Sequence, residues 1–184
     1  MSFVIHKEHF QTLSRVHFVY LLFVIVFGAF VRATGSGAGC GSHWPLCNGE
    51  VVPPSLHVKT VIEYTHRLTS TFLLFFSFAL VRFGFRLYSN GHVLRKLLVT
   101  YLSVLFLEIL FGAALVLLGH VAENQSIYRG FSISLHLLNT MILSGVAFLI
   151  CCSSLVEKSY TLKSGMFSNI AFVLGLILIL ITSL

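Results

Sequence analysis

His66 and His136 are the side chains of this sequence best suited to chemistry, because both lie a few residues inside long apolar runs. If helices enter those runs near Thr60 and Arg129, a rise of about 1.5 Å per residue sets both imidazoles roughly 9 to 11 Å below the entrance. Two residues at matching depth, on helices running in the same direction, can face one another across a bundle interior, which is how cofactor sites are built between helices. Paired imidazoles among apolar neighbours, here Leu68, Phe72, Leu135 and Leu137, suit the two axial positions of a haem iron. A lone membrane histidine more often hydrogen-bonds a neighbouring helix. The pair favours ligands, since ionisable groups inside a membrane are costly and point to function.

Glu63 precedes His66 by three residues, so both project from one helix face about a turn apart. A carboxylate there can exchange protons beside a bound substrate; its plainer role is a favourable charge at a helix N-terminus. Arg32, Arg67 and Arg129 fall at the same boundary and can either fork onto propionate carboxylates or mark the headgroup level. Glu108, mid-way along an apolar run and followed by Gly112, Ala113 and Ala114, reads as the most buried acid, in polar contact with a neighbouring helix. His6, His9, His17, His43, His57, His92 and His120 have no partner that spacing identifies.

Before Glu63 comes a polar, glycine-rich stretch from Val31 to Gly49 that carries Cys40 and Cys47. A bridge between these cysteines would close a small ring and restrain the segment. The loop as a whole, 33–60, is too long for a plain connector. Trp44 followed by Pro45 adds an amphipathic ring before a fixed turn.

The elements that must position these groups are membrane spans. With 57% apolar and 10% charged residues, the chain lies outside the composition of soluble domains, which carry about 25% charged residues. Runs long enough to cross a hydrocarbon core of about 30 Å occur over Val16–Val31, Val61–Val81, Leu97–Leu118, Phe131–Cys152 and Phe167–Leu184. The expected fold is therefore all-α and integral to the membrane, a four-helix bundle over 16–152 plus a fifth transmembrane helix over 167–184. Residues 1–15 form an N-terminal segment and 153–166 a linker. The first run is read as a retained helix rather than a signal peptide, because Arg32 and a polar stretch separate it from Cys40.

Of the 12 Lys and Arg, Lys7, Arg15, Arg82, Arg86, Arg95, Lys96, Lys158 and Lys163 fall on one side of these spans. Arg32, Lys59, Arg67 and Arg129 fall on the other. The positive-inside tendency puts the N-terminus and the linker in the cytoplasm and the cysteine loop outside, where a disulfide persists. Cys151 and Cys152 then sit at the cytoplasmic end as free thiols. The net charge of +6 is explained by these short loops, and no nucleic-acid partner is read from it.

The blocks Val31-Arg32-Ala33-Thr34-Gly35-Ser36-Gly37, Gly39-Cys40, Trp44-Pro45-Leu46-Cys47-Asn48-Gly49, Glu63-Tyr64-Thr65-His66-Arg67 and His136-Leu137 resemble the haem A synthase family across roughly residues 15 to 150. The resemblance implies an enzyme that oxidises the C8 methyl of haem O to the formyl group of haem A for terminal oxidases. It implies a haem b cofactor, an electron donor and a haem O synthase as partners, and the plasma membrane of a prokaryote as location. Typical members have two similar four-helix halves, the first taking the substrate haem and the second holding haem b. By that likeness His66 and His136 match the substrate pair, Glu63 the acid, and Cys40 with Cys47 an external disulfide; the topology, which sets the loop above Glu63 and the two histidines, makes it a lid over the site with Trp44 as a contact. Glu108 stands where an amide is expected. A second histidine pair is absent, so haem b falls to a missing second half or a second subunit, in a truncated chain, a homodimer or a split protein; Leu184 ends inside an apolar run, favouring truncation. Two other functions are weighed. One is a haem-binding assembly module without catalysis. The other is a quinone-linked thiol oxidase, against which stands the lack of a Cys-x-x-Cys pair and of a second external pair.

Overall fold

The computed structural model describes residues 7–53, 57–122 and 124–155. Among them the chain forms four helices: α1 Lys7–Ala33, α2 Val58–Leu87, α3 Val93–Leu117 and α4 Ile127–Leu155. All four are long and apolar enough to span a membrane. The fifth helix expected over 167–184 lies outside the described residues, as does the linker beyond Leu155.

Every helix is longer than its apolar run. α1 starts at Lys7 rather than Val16 because Phe10, fully buried, packs its ring against Gly84 and edge-on to Tyr88 at the end of α2. Glu8 in the first turn adds a favourable charge at the positive end of the helix dipole. α4 likewise continues past Cys152 to Leu155, where Ser154 is tied to α1 by Ser14 Oγ at 3.0 Å and by Gln11 Nε2, which donates to the Ser154 carbonyl at 2.9 Å.

The helices form a square. α1 packs on α2 and α4, α3 packs on α2 and α4, and the α1/α3 and α2/α4 pairs are diagonals. The contacts between Phe10 and Gly84, Gln11 and Ser154, and Glu108 and Asn139 make each neighbouring pair antiparallel, so α2 and α4 run in the same direction. α2 and α3 are joined by a tight turn in which Gly91 takes φ 87° and the His92 ring accepts from Leu94 N at 3.2 Å, capping α3. This end is called the hairpin end, and the opposite one, with the cysteine segment, the loop end.

The buried core fills the hairpin half: Phe10, Leu21, Leu73, Leu80, Leu98, Tyr101 and Ile150 are among its members. A polar group in that layer must find a partner. His17 does, with Ser77 Oγ at 2.9 Å and Tyr101 Oη at 3.4 Å. Toward the loop end the inward positions change character: Gly28, His66, Ser70, Gly112 and His136 are only half-buried. Small residues and imidazoles replace the leucines, and the interior opens.

Candidate functional site

The loop between α1 and α2 is fastened to the first turns of α2. Cys40 and Cys47 form a disulfide, and Cys47 and Asn48 fold back by hydrogen bonds to Glu50 and Cys40. Gly39 lies so close to α2 that a Cβ there would stand 2.3 Å from the Lys59 carbonyl oxygen. That approach lets the Gly39 carbonyl accept from Thr60 Oγ1 at 2.8 Å, while Cys40 N–H donates to Glu63 Oε2 at 2.8 Å. Arg67, one turn further, donates from Nε to Glu63 Oε1 at 3.1 Å and from Nη1 to the carbonyls of His43 and Leu46 at 2.6 Å each. Its Nη2 pairs with the same carboxylate oxygen. The loop also reaches across the bundle end: a Cβ on Gly37 would touch Val121 in the α3–α4 connection at 3.5 Å. The two connections thus meet over the open half of the bundle, with Trp44 partly exposed on the cysteine loop.

Glu63 and His66 do share a face of α2, as their spacing requires. Glu63 is only 3% exposed. It is more buried than Glu108, whose side chain keeps 16% exposure, which reverses the order expected from the sequence. The reason is local: Glu108 borders the open interior, whereas the cysteine loop closes over Glu63.

His66 and His136 lie on the diagonal helices α2 and α4, eight and nine residues from the helix starts, which at about 1.5 Å per residue is roughly 12 and 13 Å. Each ring lies over a glycine of the adjacent helix. A Cβ on Gly28 of α1 would stand 3.0 Å from His66 Cε1, and one on Gly112 of α3 would stand 3.6 Å from His136 Cε1. Among the described residues, the buried side-chain nitrogens left without a hydrogen bond are His66 Nδ1, His136 Nδ1 and Arg129 Nε. All three belong to the loop half. On His66 the edge nearest Gly28 is the Cε1–Nε2 one, with Nε2 3.3 Å and Nδ1 3.9 Å from where that Cβ would stand.

The apolar wall expected around the pair is corrected. Leu68 and Phe72 are exposed and face outward; at about 100° per residue they sit on the far side of α2 from His66. The edge-on ring of Phe27, with centroid 5.9 Å from that of His66, and Gly28 take that place. Leu135 and Leu137 are half-buried beside His136.

Of the three arginines, Arg67 is committed to Glu63 and the loop, Arg32 occupies the last turn of α1, and Arg129 keeps a buried Nε without a partner. Glu108 makes the helix-to-helix contact expected of it, accepting from Asn139 Nδ2 at 2.7 Å and from the Thr140 hydroxyl. Its Oε1 lies 3.4 Å from His136 Nδ1. Sequence reading missed the His17 network and the pairing of His120 Nδ1 with Ser132 Oγ at 2.8 Å. The signal available for the first was that Ser77, Leu73 and Leu80 share a helical face, which spacing shows but which does not identify the partner helix.

Residues 11–183 match the family model COX15-CtaA, described as cytochrome oxidase assembly protein. The chain belongs to this family. With its four apolar helices, this makes it a multi-pass membrane protein. A stretch of 120 residues is 48% identical to a Thermus thermophilus protein named protoheme IX farnesyltransferase, covering 65% of this chain and 20% of that protein. A stretch of 113 residues is 39% identical to proteins named haem A synthase from Bacillus cereus and Bacillus anthracis, covering 61% of this chain and 36% of each. The chain thus spans between a fifth and somewhat over a third of the length of these relatives. No solved structure matches. The residues at the loop end fit a haem: two half-buried imidazoles on diagonal helices, each with a buried Nδ1 that makes no hydrogen bond, glycines beside both rings, and an unpaired guanidinium nitrogen on Arg129.

Proposed function

We propose that the loop half of this bundle is the substrate site of a haem A synthase, where haem O is held between His66 and His136 and its C8 methyl is oxidised to a formyl group, giving haem A for terminal oxidases. The observation that carries the reading is the pair of half-buried imidazoles on diagonal helices, each with a buried Nδ1 that makes no hydrogen bond. Buried polar atoms without partners are rare in native proteins, and each asks for a missing group. A haem iron accepts two imidazole nitrogens.

In this reading Arg129, with Arg32, meets the propionates at the rim, where a guanidinium fork matches a carboxylate. The cysteine loop and Trp44 cover the mouth and limit water. Glu63, one turn from His66, would serve as the acid at the reacting methyl as well as the anchor of the loop, on exchanging its bond from Cys40 N–H or Arg67 for one to the substrate. Haem b supplies one-electron redox chemistry when bound; a second half or a second subunit of a homodimer would hold it. Substrate would come from a haem O synthase; taking a methyl to a formyl group removes four electrons, so with a separate electron donor the oxidant is dioxygen, two molecules with four electrons and four protons giving the formyl oxygen and three waters. The positive-inside tendency supports a loop end outside the cytoplasm, and the family resemblance supports the plasma membrane of a prokaryote.

The test is direct. Purified protein should carry a haem absorption band that disappears in His66→Ala and His136→Ala, and a double variant with full haem content overturns the site. Glu63→Gln tests the acid: its one oxygen can still accept from Cys40 N–H, but its NH2 then faces the Arg67 guanidinium, so the seating of the loop is read separately by disulfide reduction, and haem A formation should stop even where haem is retained. A second reading, a haem-binding assembly module without catalysis, is favoured by Glu63 being occupied by Cys40 and Arg67. Haem A made by cells that express this chain alone removes it. Thiol oxidation is disfavoured, since Cys40 and Cys47 are fully buried and disulfide exchange needs access.

A further inference from the structure

The two imidazoles differ on their Nδ1 sides. Behind His136, the carboxylate of Glu108 is held in place: Oε2 accepts from Asn139 Nδ2, Oε1 accepts from the Thr140 hydroxyl, and Asn139 Nδ2 also reaches the Val104 carbonyl at 3.0 Å. Two consecutive residues of α4, the third and fourth after His136, thereby clamp an acid of α3 beside the ring. Glu108 Oε1 is 3.4 Å from Nδ1, an ion-pair separation short of an aligned hydrogen bond, which is why Nδ1 still counts as unpartnered. A modest turn of the imidazole aligns the two, and such contacts commonly tighten when a ligand engages the other nitrogen. Behind His66 no carboxylate stands among the described residues. Its neighbours are Gly28 and Phe27, and Glu63 is turned to the loop and Arg67.

We propose that Glu108 is a positioning residue for His136: its carboxylate accepts the Nδ1 proton, fixes the tautomer with the Nε2 lone pair facing the interior, and makes His136 the stronger donor of an unequal pair. A carboxylate behind a metal-binding imidazole acts in this way generally, orienting the ring and raising its basicity. The unequal pair has a functional consequence for a substrate haem, which must arrive and leave: the bond to His66 is the one that yields. This inference rests on the haem reading above, and its experiment separates the two.

The full chain is purified with bound haem as Glu108→Gln, Glu108→Asp, Ser132→Ala and His136→Ala. The glutamine keeps one oxygen to accept from Asn139 and turns its NH2 to Thr140, whose hydroxyl can accept, while the charge is removed. Expected for Glu108→Gln is haem binding about 10- to 100-fold weaker. The haem reduction midpoint should rise, by about 59 mV for each tenfold change in the reduction equilibrium, because a weaker donor stabilises the ferric state less. Glu108→Asp, which keeps the charge, should fall between Glu108→Gln and the parent. Ser132→Ala removes another tie to α4, the one to His120, and should leave the midpoint unchanged. A Glu108→Gln protein with parental affinity and midpoint overturns the proposal, as does a Ser132→Ala protein that shifts the midpoint equally, since helix packing alone would then be the cause. Should Glu108→Gln fail to assemble, an Asp variant with the parental midpoint overturns it and a raised midpoint supports it. If His136→Ala retains haem with an unchanged spectrum, the haem reading itself fails.

Discussion

Replacing Gly39 by alanine tests how the cysteine loop is seated. The added Cβ would stand 2.3 Å from Lys59 O, 2.5 Å from Lys59 C and 2.7 Å from Thr60 N. These are backbone atoms in the first turn of α2, so no side-chain rotation relieves the clash and the loop must lift. Lifting breaks two hydrogen bonds on either side of the substituted residue, Thr60 Oγ1 to the Gly39 carbonyl and Cys40 N–H to Glu63. A neutral bond contributes about 0.5 to 1.5 kcal/mol and one to a charged group about 1.5 to 3 kcal/mol, so together about 2 to 4.5 kcal/mol is lost. At about 1.4 kcal/mol per tenfold, the lifted loop becomes roughly thirtyfold to a thousandfold more populated.

The disulfide gives the assay. Cys40 and Cys47 are 0% and 1% exposed, so a reductant reaches them only when the loop opens. When reclosing is fast, the rate of such a reaction follows the open population. With Cys151 and Cys152 blocked first, reduction by a dilute phosphine is followed by the gel shift of a heavy maleimide. Trp44, the one tryptophan of the chain, reports the same movement by its emission. Thr60→Ala loses only the neutral bond and should accelerate reduction roughly two- to twelvefold. If Gly39→Ala is reduced no faster than the parent and Trp44 emission is unchanged, the loop is not seated on α2 by these contacts and the anchoring argument is wrong.

Three further outcomes are expected. His17→Ala should lower stability by about 2 to 5 kcal/mol, as other large-to-small core replacements do, yet leave haem content unchanged, because its network lies in the hairpin half; thermal unfolding and haem absorbance read the two effects separately. Arg129→Gln should weaken haem binding about tenfold to a hundredfold, the equivalent of one charged hydrogen bond, with Arg129→Lys recovering part of it in a haem titration. Gly28→Ala should disturb the haem spectrum more than Gly112→Ala, since an added methyl group meets His66 at 3.0 Å but His136 at 3.6 Å, an ordinary contact.

The bundle was legible because hydrocarbon thickness imposes long apolar runs, and the diagonal placement of His66 and His136 followed from two helices entering from the same end. The helix ends were not, since no apolar run marks residues 7–15 as helical; Phe10 packing on Gly84 carries α1 there. The partners of Glu63 were hidden for a different reason. Spacing shows that Glu63 and His66 share a face, but the N–H group that reaches the carboxylate comes from Cys40, and a loop with four glycines between Gly35 and Gly41 has no periodicity from which its path could be read. The exposed positions of Leu68 and Phe72 were legible from helical angle alone once His66 was taken as facing inward.

Stability and site occupy opposite halves of the same four helices, and α2 shows how. Along one face it presents Glu63, His66, Ser70, Leu73 and Ser77 in turn. At the hairpin end Ser77 joins His17 and Tyr101, so every polar group of that layer has a partner and the leucines around it can seal. At the loop end Glu63 is saturated by Cys40 and Arg67, so the disulfide segment is held without drawing on the interior. Between these two satisfied layers lie His66 and, across the bundle, His136, whose buried nitrogens are unpaired. An unpaired polar atom in such a place costs about 1 to 3 kcal/mol, which the sealed half and the anchored loop can offset. The same argument explains why small residues stand opposite both rings: at Gly28 and Gly112 a larger side chain would fill the space that the imidazoles face, and the cost of leaving them unpaired would bring nothing in return.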